Sequence, residues 1–168
     1  MRWNLLAYYL IWYLVATFGN TQYLILIYLI LALYAFYHFK YLTNNKTNEL
    51  SFIILITFVG LLFDSANNLI FSFQWKSNYI TWLLPIWLMF SMTLNYSLSF
   101  IFKNKLILII FSFFGGPWAY FAASKVMSFR YEFNYIKFCA HGFLWIILMT
   151  LFSYIRTKIC KKNSMQSF

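Results

Sequence analysis

The stretch that decides the fold is residues 50–73, with the sequence LSFIILITFVGLLFDSANNLIFSF. A run of this length and apolarity is typical of a transmembrane helix, because about 20 residues are needed to cross the hydrocarbon core of a bilayer. Its one acidic residue, Asp64, costs at least ~2.5 kcal/mol in lipid unless the carboxyl is neutral, paired or hydrated. The stretch therefore predicts a membrane helix whose polar face points into a bundle.

Five further apolar segments, separated by short polar breaks, flank this one: residues 3–18, 23–39, 79–102, 106–126 and 135–154. The first two are short for a membrane span, whereas the later ones are long enough. We predict an all-α integral membrane protein with a compact bundle of about six transmembrane helices. The alternative is five spans with residues 3–18 lying in the interface. A third reading, a cleavable signal peptide, is disfavoured because no small-residue cleavage site follows that segment.

The composition also indicates a membrane protein. Hydrophobic residues make up 63% of the 168 residues and charged residues 10%, against roughly 45–50% and about 25% in soluble domains. A soluble globular domain and a disordered chain are both excluded. The net charge of +10 comes from residues between the apolar runs rather than from a basic stripe, so the expected partner is the lipid bilayer and not nucleic acid.

The basic residues also predict an orientation. With six spans, nine Lys and Arg residues fall on one side (Arg2, Lys40, Lys46, Lys103, Lys105, Arg156, Lys158, Lys161 and Lys162) and four on the other (Lys76, Lys125, Arg130 and Lys137). Because Lys and Arg collect in cytoplasmic loops, both termini should be cytoplasmic. We predict a single transmembrane domain, residues 1–155, and a basic cytoplasmic tail, residues 156–168.

Asp64 is the centre of the candidate polar site. Asn67 and Asn68 follow it by three and four residues and so share its helix face, and Gly60 leaves room there for a neighbouring helix. His141 and Tyr120 fall at a similar depth in the sixth and fifth segments. Two interpretations stay open: a structural clamp, meaning a carboxyl that joins helices by hydrogen bonds, and a site for a proton or ligand.

Polar and small residues on the fourth and fifth segments suggest helix contacts. Asn95 can form a hydrogen bond across helices, and we include it among the candidate polar residues. Gly115, Ala119 and Ala123 form a face of small residues that favours close helix packing. Gly115-Gly116-Pro117 removes a backbone hydrogen bond and predicts a kink.

Signatures of catalysis and of cofactor binding are missing from the sequence. No HExxH, GxSxG or P-loop motif occurs, and Glu49 and Glu132 are predicted in loops on opposite sides of the membrane. Cys139 and Cys160 lie about 30 Å apart along one predicted helix, too far for a disulfide. We expect no metal and no cofactor.

The sequence resembles a family of small bacterial inner-membrane proteins, the domain of unknown function 2878. The resemblance rests on four stretches: Asn4; Gly60-Leu61-Leu62-Phe63-Asp64-Ser65; Leu84-Pro85-Ile86-Trp87 leading to Thr93-Leu94-Asn95-Tyr96-Ser97-Leu98; and Gly115-Gly116-Pro117 followed by Tyr120 and Ala122. It implies a compact polytopic fold in the bacterial inner membrane, no known reaction, and a link to lipid metabolism.

These observations favour a non-catalytic accessory or scaffold protein of the bacterial envelope, with another membrane protein as a candidate partner. The alternative is a small transporter or flippase of a lipid-like solute that uses Asp64. An intramembrane enzyme is the third hypothesis. A hydrated cavity around Asp64 would favour transport, a dry and closely packed bundle would favour the accessory role, and an Asp–His–metal cluster would favour the enzyme.

Overall fold

The computed structural model describes residues 2–19, 21–71, 73, 79–126, 131 and 134–164, apart from the side chains of residues 2 and 160–164. Within these residues the chain is all-α, with no β-strand and six α-helices: α1 (Arg2–Phe18), α2 (Leu24–Tyr37), α3 (Lys46–Phe71), α4 (Tyr79–Leu94), α5 (Lys105–Val126) and α6 (Tyr135–Ser164). The predicted compact helical bundle is confirmed.

Four helical stretches are long and apolar enough to cross a membrane: Leu24–Leu42, Lys46–Phe71, Lys105–Val126 and Tyr135–Ile159. Two shorter apolar helices, α1 and α4, complete the bundle. α1 lies alongside α4 rather than across its end, because Asn4 contacts Met92 near one end of α4 and Gly19, just after α1, approaches Trp82 near the other. Both the six-span prediction and the alternative with an interfacial first segment stay predictions.

The second apolar segment is longer than predicted. A π-helical turn, His38–Leu42, continues α2, and the amide of Thr43 donates to the carbonyl of His38 at 3.2 Å. This five-residue spacing is the π pattern, which often occurs at functional sites. Because α3 begins at Lys46, the loop predicted over residues 40–49 is reduced to residues 43–45.

The fourth segment is shorter than predicted, and the expectation of one long span over residues 79–102 is wrong. α4 ends at Leu94, a turn follows, and a 3₁₀ turn covers Ser99–Lys103. The amides of Tyr96 and Leu98 both donate to the Thr93 carbonyl, at 3.1 and 3.0 Å, which closes the helix. All residues from 89 to 94 are buried, because α4 packs against α1, α2 and α3.

Two stacked tryptophans join four helices at two glycines. A Cβ atom on Gly60 of α3 would lie 2.2 Å from the Trp87 ring, and one on Gly116 of α5 would lie 2.2 Å from the Trp145 ring. The two indoles stack with centroids 5.9 Å apart and planes 12° apart. Glycine at both positions lets α3 approach the Trp87 ring closely and α5 approach the Trp145 ring closely.

The close approach on α5 falls one residue from the predicted face. A Cβ atom on Gly115 would meet nothing nearer than 3.8 Å, on Phe111 of its own helix, so Gly116 is the contact position. α5 runs continuously through Pro117, which is buried, and the predicted kink stays a prediction.

α6 extends to Ser164, so a boundary at residue 155 falls inside this helix. Residues 165–168 of the predicted tail lie outside the described residues.

Candidate functional site

Asp64 lies at the meeting point of three helices and is only 1% exposed. The indole Nε1 of Trp87, on α4, donates to Asp64 Oδ2 at 2.6 Å. The Tyr120 hydroxyl, on α5, donates to Asp64 Oδ1. Each carboxyl oxygen therefore accepts a hydrogen bond from a different helix. This geometry is that of a polar contact that joins α3, α4 and α5.

Asn67 and His141 extend this contact to α6. Asn67 Nδ2 lies 3.3 Å from His141 Nε2, and since an amide nitrogen can only donate, the imidazole accepts at Nε2. The His141 ring also packs edge-on against Tyr120, with centroids 4.6 Å apart. We call Asp64, Asn67, Trp87, Tyr120 and His141 the Asp64 cluster. Asp64 and His141 share neighbours in it, but no hydrogen bond joins them directly.

A cavity of about 70 Å³ borders the Asp64 cluster. Asp64 is the only acid on its wall, and the other lining side chains are mainly aromatic and aliphatic, from Tyr8, Trp12, Trp82, Leu83, Ile86, Trp87, Phe90, Ala119, Tyr120, Ala123 and Trp145. Sites for small molecules usually measure about 300–1,000 Å³. This cavity has room for a few water molecules and not for a lipid headgroup.

The structure separates the predicted polar residues into two groups. Asp64, Asn67, Tyr120 and His141 come together, whereas Asn68 is half-buried and makes no side-chain hydrogen bond to any described residue. Asn95 lies away from this group, because it follows Trp87 by eight residues, which corresponds to about 12 Å along the axis of a helix. Of the small residues on α5, Ala123 is buried and Ala119 is half-buried on the cavity wall.

A second polar cluster lies where α2 ends and α3 begins, and we call it the Glu49 cluster: His38, Glu49, Asn95 and Arg156. Glu49 Oε1 lies 3.1 Å from His38 Nε2, and Glu49 Oε2 accepts from Asn95 Nδ2 at 2.9 Å. Arg156 Nε donates to Asn95 Oδ1 at 2.9 Å. His38 and Glu49 are buried. These contacts join the π turn after α2, the start of α3, the turn after α4 and helix α6.

A cavity of about 330 Å³ opens beside the Glu49 cluster. Its wall is mixed, formed by Leu42, Thr43, Asn44, Asn45, Asn48, Glu49, Phe52, Asn95, Tyr96, Arg156 and Ile159. The Tyr96 hydroxyl lies 3.1 Å from Thr43 Oγ1. Burial raises the pKa of Tyr96, the hydrogen bond with Thr43 lowers it, and the charge of Glu49 raises it. Tyr96 therefore stays a neutral hydroxyl that can donate.

The sequence analysis missed the Glu49 cluster. Glu49 was predicted in a loop, and neither His38 nor Arg156 was a candidate site residue. One signal was available: Glu49 is one of only three acidic residues in the chain, and a histidine ends the preceding apolar run. Glu132, the other predicted loop acid, lies outside the described residues. In the described part of the chain, no three His, Cys, Asp or Glu side chains could together hold a metal ion.

Exposed lysines surround the end of the bundle that holds the Glu49 cluster: Lys40, Lys46, Lys103, Lys105 and Lys158. Lys125 and Lys137 lie at the opposite end, while Lys76 and Arg130, from the minority side of the predicted topology, lie outside the described residues. Nothing is described of the Arg2, Lys161 and Lys162 side chains. The described basic residues are thus unequally divided between the two ends.

The fold and the apolar helices define a polytopic helical membrane protein. The chain belongs to the family described as "Protein of unknown function (DUF2878)", whose family model matches residues 2–151. Asp64, Glu49 and Asn95 fall within the matched residues, and Arg156 follows them. No curated protein and no solved structure matches the chain.

Proposed function

We propose that the protein is a non-catalytic accessory or scaffold protein of the bacterial inner membrane, and that the Asp64 cluster is structural. The observation that supports this proposal most strongly is that both Asp64 oxygens accept hydrogen bonds from within the bundle, from Trp87 and Tyr120. The adjoining cavity of about 70 Å³ is too small for a lipid-like solute. A protein partner and a link to lipid metabolism belong to the same proposal.

Transport through Asp64 is the competing function, and reconstitution distinguishes the two. Purified protein in vesicles should neither release protons down a pH gradient nor move a fluorescent phospholipid between leaflets faster than protein-free vesicles do. Asp64→Asn protein is the matched control, because the amide keeps the shape of the side chain but cannot exchange a proton. Transport by the parent protein that the Asp64→Asn variant lacks would overturn the structural role.

The proposed location also has a direct test. The excess of Lys and Arg at the end that holds the Glu49 cluster supports a cytoplasmic position for that end and for both termini. A reporter fused after residue 168 that is active only in the periplasm should be silent, and one fused in the break between α3 and α4 should be active. The opposite pair of results would reverse the orientation.

A further inference from the structure

The Glu49 cluster has the size and the chemistry of a ligand site. Its cavity of about 330 Å³ falls within the range of about 300–1,000 Å³ that small-molecule sites occupy. Eight of the eleven residues that line it carry a polar group, and Leu42, Phe52 and Ile159 are the apolar ones. The site lies about 22 Å along α3 from Asp64, so it is separate from the Asp64 cluster.

Arg156 supplies the cation of this site, and most of its donors are unused. Among the described residues only its Nε–H is bonded, to Asn95 Oδ1, while a guanidinium has five N–H donors. Among the described residues, His38–Glu49 is the one contact within 4.0 Å between a carboxylate and a basic side chain, so no described carboxylate lies against Arg156. The side chain lies on the cavity wall with its guanidinium carbon 5.3 Å from the centre of the Phe102 ring, which restricts its orientation.

Glu49 supplies an acceptor beside this cation. Each of its oxygens accepts one hydrogen bond, from His38 and from Asn95, and a carboxylate has about four acceptor positions. Asn95 fixes the spacing, since one amide group separates Glu49 from Arg156. A ligand that uses both side chains must therefore place a negative group within a few bonds of a donor.

We propose that this cavity binds a phosphate ester of a small alcohol that also bears an ammonium or hydroxyl group. The planar guanidinium of Arg156 matches two phosphate oxygens, and the neutral hydroxyl of Tyr96 and the amides of Asn45 and Asn48 border the same space. The ammonium or hydroxyl group donates to Glu49. Either the headgroup of a phospholipid or a soluble phosphate ester has this chemistry.

The test compares two cationic positions on the same helix. Arg156→Gln removes the guanidinium, and Lys158→Gln, two residues later, removes an equal charge from an exposed side chain. Full-length protein in detergent is titrated with O-phosphoethanolamine and, separately, with inorganic phosphate. Parent protein should bind O-phosphoethanolamine more tightly than phosphate. Arg156→Gln should weaken binding of O-phosphoethanolamine at least about tenfold, and Lys158→Gln should change it less than about twofold.

A second arm identifies the source of the ligand. Parent and variant proteins are purified from vesicles of equal phosphatidylethanolamine and phosphatidylcholine content, and retained lipid is measured by native mass spectrometry. Arg156-dependent retention of phosphatidylethanolamine without binding of the soluble ester indicates a lipid headgroup. Binding of the soluble ester indicates a free ligand. Both outcomes support the site.

Two results would overturn the proposal. One is the absence of binding in both arms, and the other is an equal effect of Arg156→Gln and Lys158→Gln. If Arg156→Gln protein does not fold, Arg156→Lys replaces it, because lysine keeps the charge but loses the paired donors. Weakening of more than about threefold in Arg156→Lys supports the site, and binding equal to that of the parent contradicts it.

Discussion

The two acids of α3, Glu49 and Asp64, lie in opposite kinds of surroundings. Both are buried, and both accept hydrogen bonds from two other elements of the bundle. Asp64 faces aromatic side chains and a cavity of about 70 Å³, while Glu49 borders a cavity of about 330 Å³ with a cation one amide away. Burial of an acid is therefore not enough to identify a functional site. The larger cavity beside Glu49 and the unused N–H donors of Arg156 distinguish the surroundings of Glu49 from those of Asp64.

The largest expected effect comes from removing the acceptor of the Asp64 cluster. Asp64→Leu leaves the Trp87 N–H and the Tyr120 O–H without the oxygens to which they donate, and should lower the free energy of unfolding by about 3–5 kcal/mol. Asp64→Asn keeps an acceptor for Trp87 and a donor for Tyr120, and should cost about 1 kcal/mol. Equilibrium unfolding in detergent measures both. Equal losses for the two variants would contradict the structural role of Asp64.

A smaller effect should separate two neighbouring glycines. Gly116→Ala places a methyl group against Trp145 and should cost about 2–3 kcal/mol through overpacking. Gly115→Ala has free space and should stabilise the protein by about 0.5–1 kcal/mol, because alanine is the better helix former. The same unfolding experiment checks both values. A loss at Gly115 as large as that at Gly116 would refute the assigned packing of α5.

Asn95 provides a test in the Glu49 cluster. Asn95→Leu removes the amide between Glu49 Oε2 and Arg156 Nε, and should cost about 1–2 kcal/mol because both charged groups lose a partner. Asn68→Leu is the matched control, since Asn68 is a half-buried asparagine without a described hydrogen bond. Its replacement should change stability by less than about 0.5 kcal/mol. A similar cost at both positions would mean that the amide of Asn95 contributes little.

The smallest expected effect concerns the edge of the same cluster. Tyr96→Phe removes the hydroxyl that contacts Thr43 and should cost about 0.5–1 kcal/mol. A double-mutant cycle with Thr43→Val measures whether the two side chains interact. Additive losses would show that the 3.1 Å contact contributes no measurable interaction free energy.

The sequence was sufficient to predict an all-α bundle of about six helices, and it grouped several residues that lie together in the structure. Counting residues from the ends of the apolar segments placed Asp64, Tyr120 and His141 at one depth. In the structure Tyr120 donates to Asp64 and packs against His141, which also contacts Asn67. This worked because a helix converts residue number into depth at a constant 1.5 Å per residue. Depth alone was enough for a cluster in the middle of long helices.

Residue counting failed at the helix ends, where the Glu49 cluster lies. The polar composition of residues 40–49 indicated a loop, but a π turn and the first turn of α3 occupy most of it. Asn95 was placed inside a long helix, although its side chain pairs with Glu49, 46 residues away in the sequence. Such pairing depends on the rotation of each helix about its axis, which neither hydropathy nor charge specifies.

The difference between the two acids is tested most directly by ligand-dependent stabilisation of three proteins. Thermal unfolding of the parent, Asp64→Asn and Arg156→Gln proteins is followed in detergent with increasing O-phosphoethanolamine. We predict that the ligand raises the midpoint of unfolding of the parent and of Asp64→Asn by the same amount, and leaves Arg156→Gln unchanged. Stabilisation that Asp64→Asn loses and Arg156→Gln keeps would contradict the account, because it would place ligand binding at Asp64.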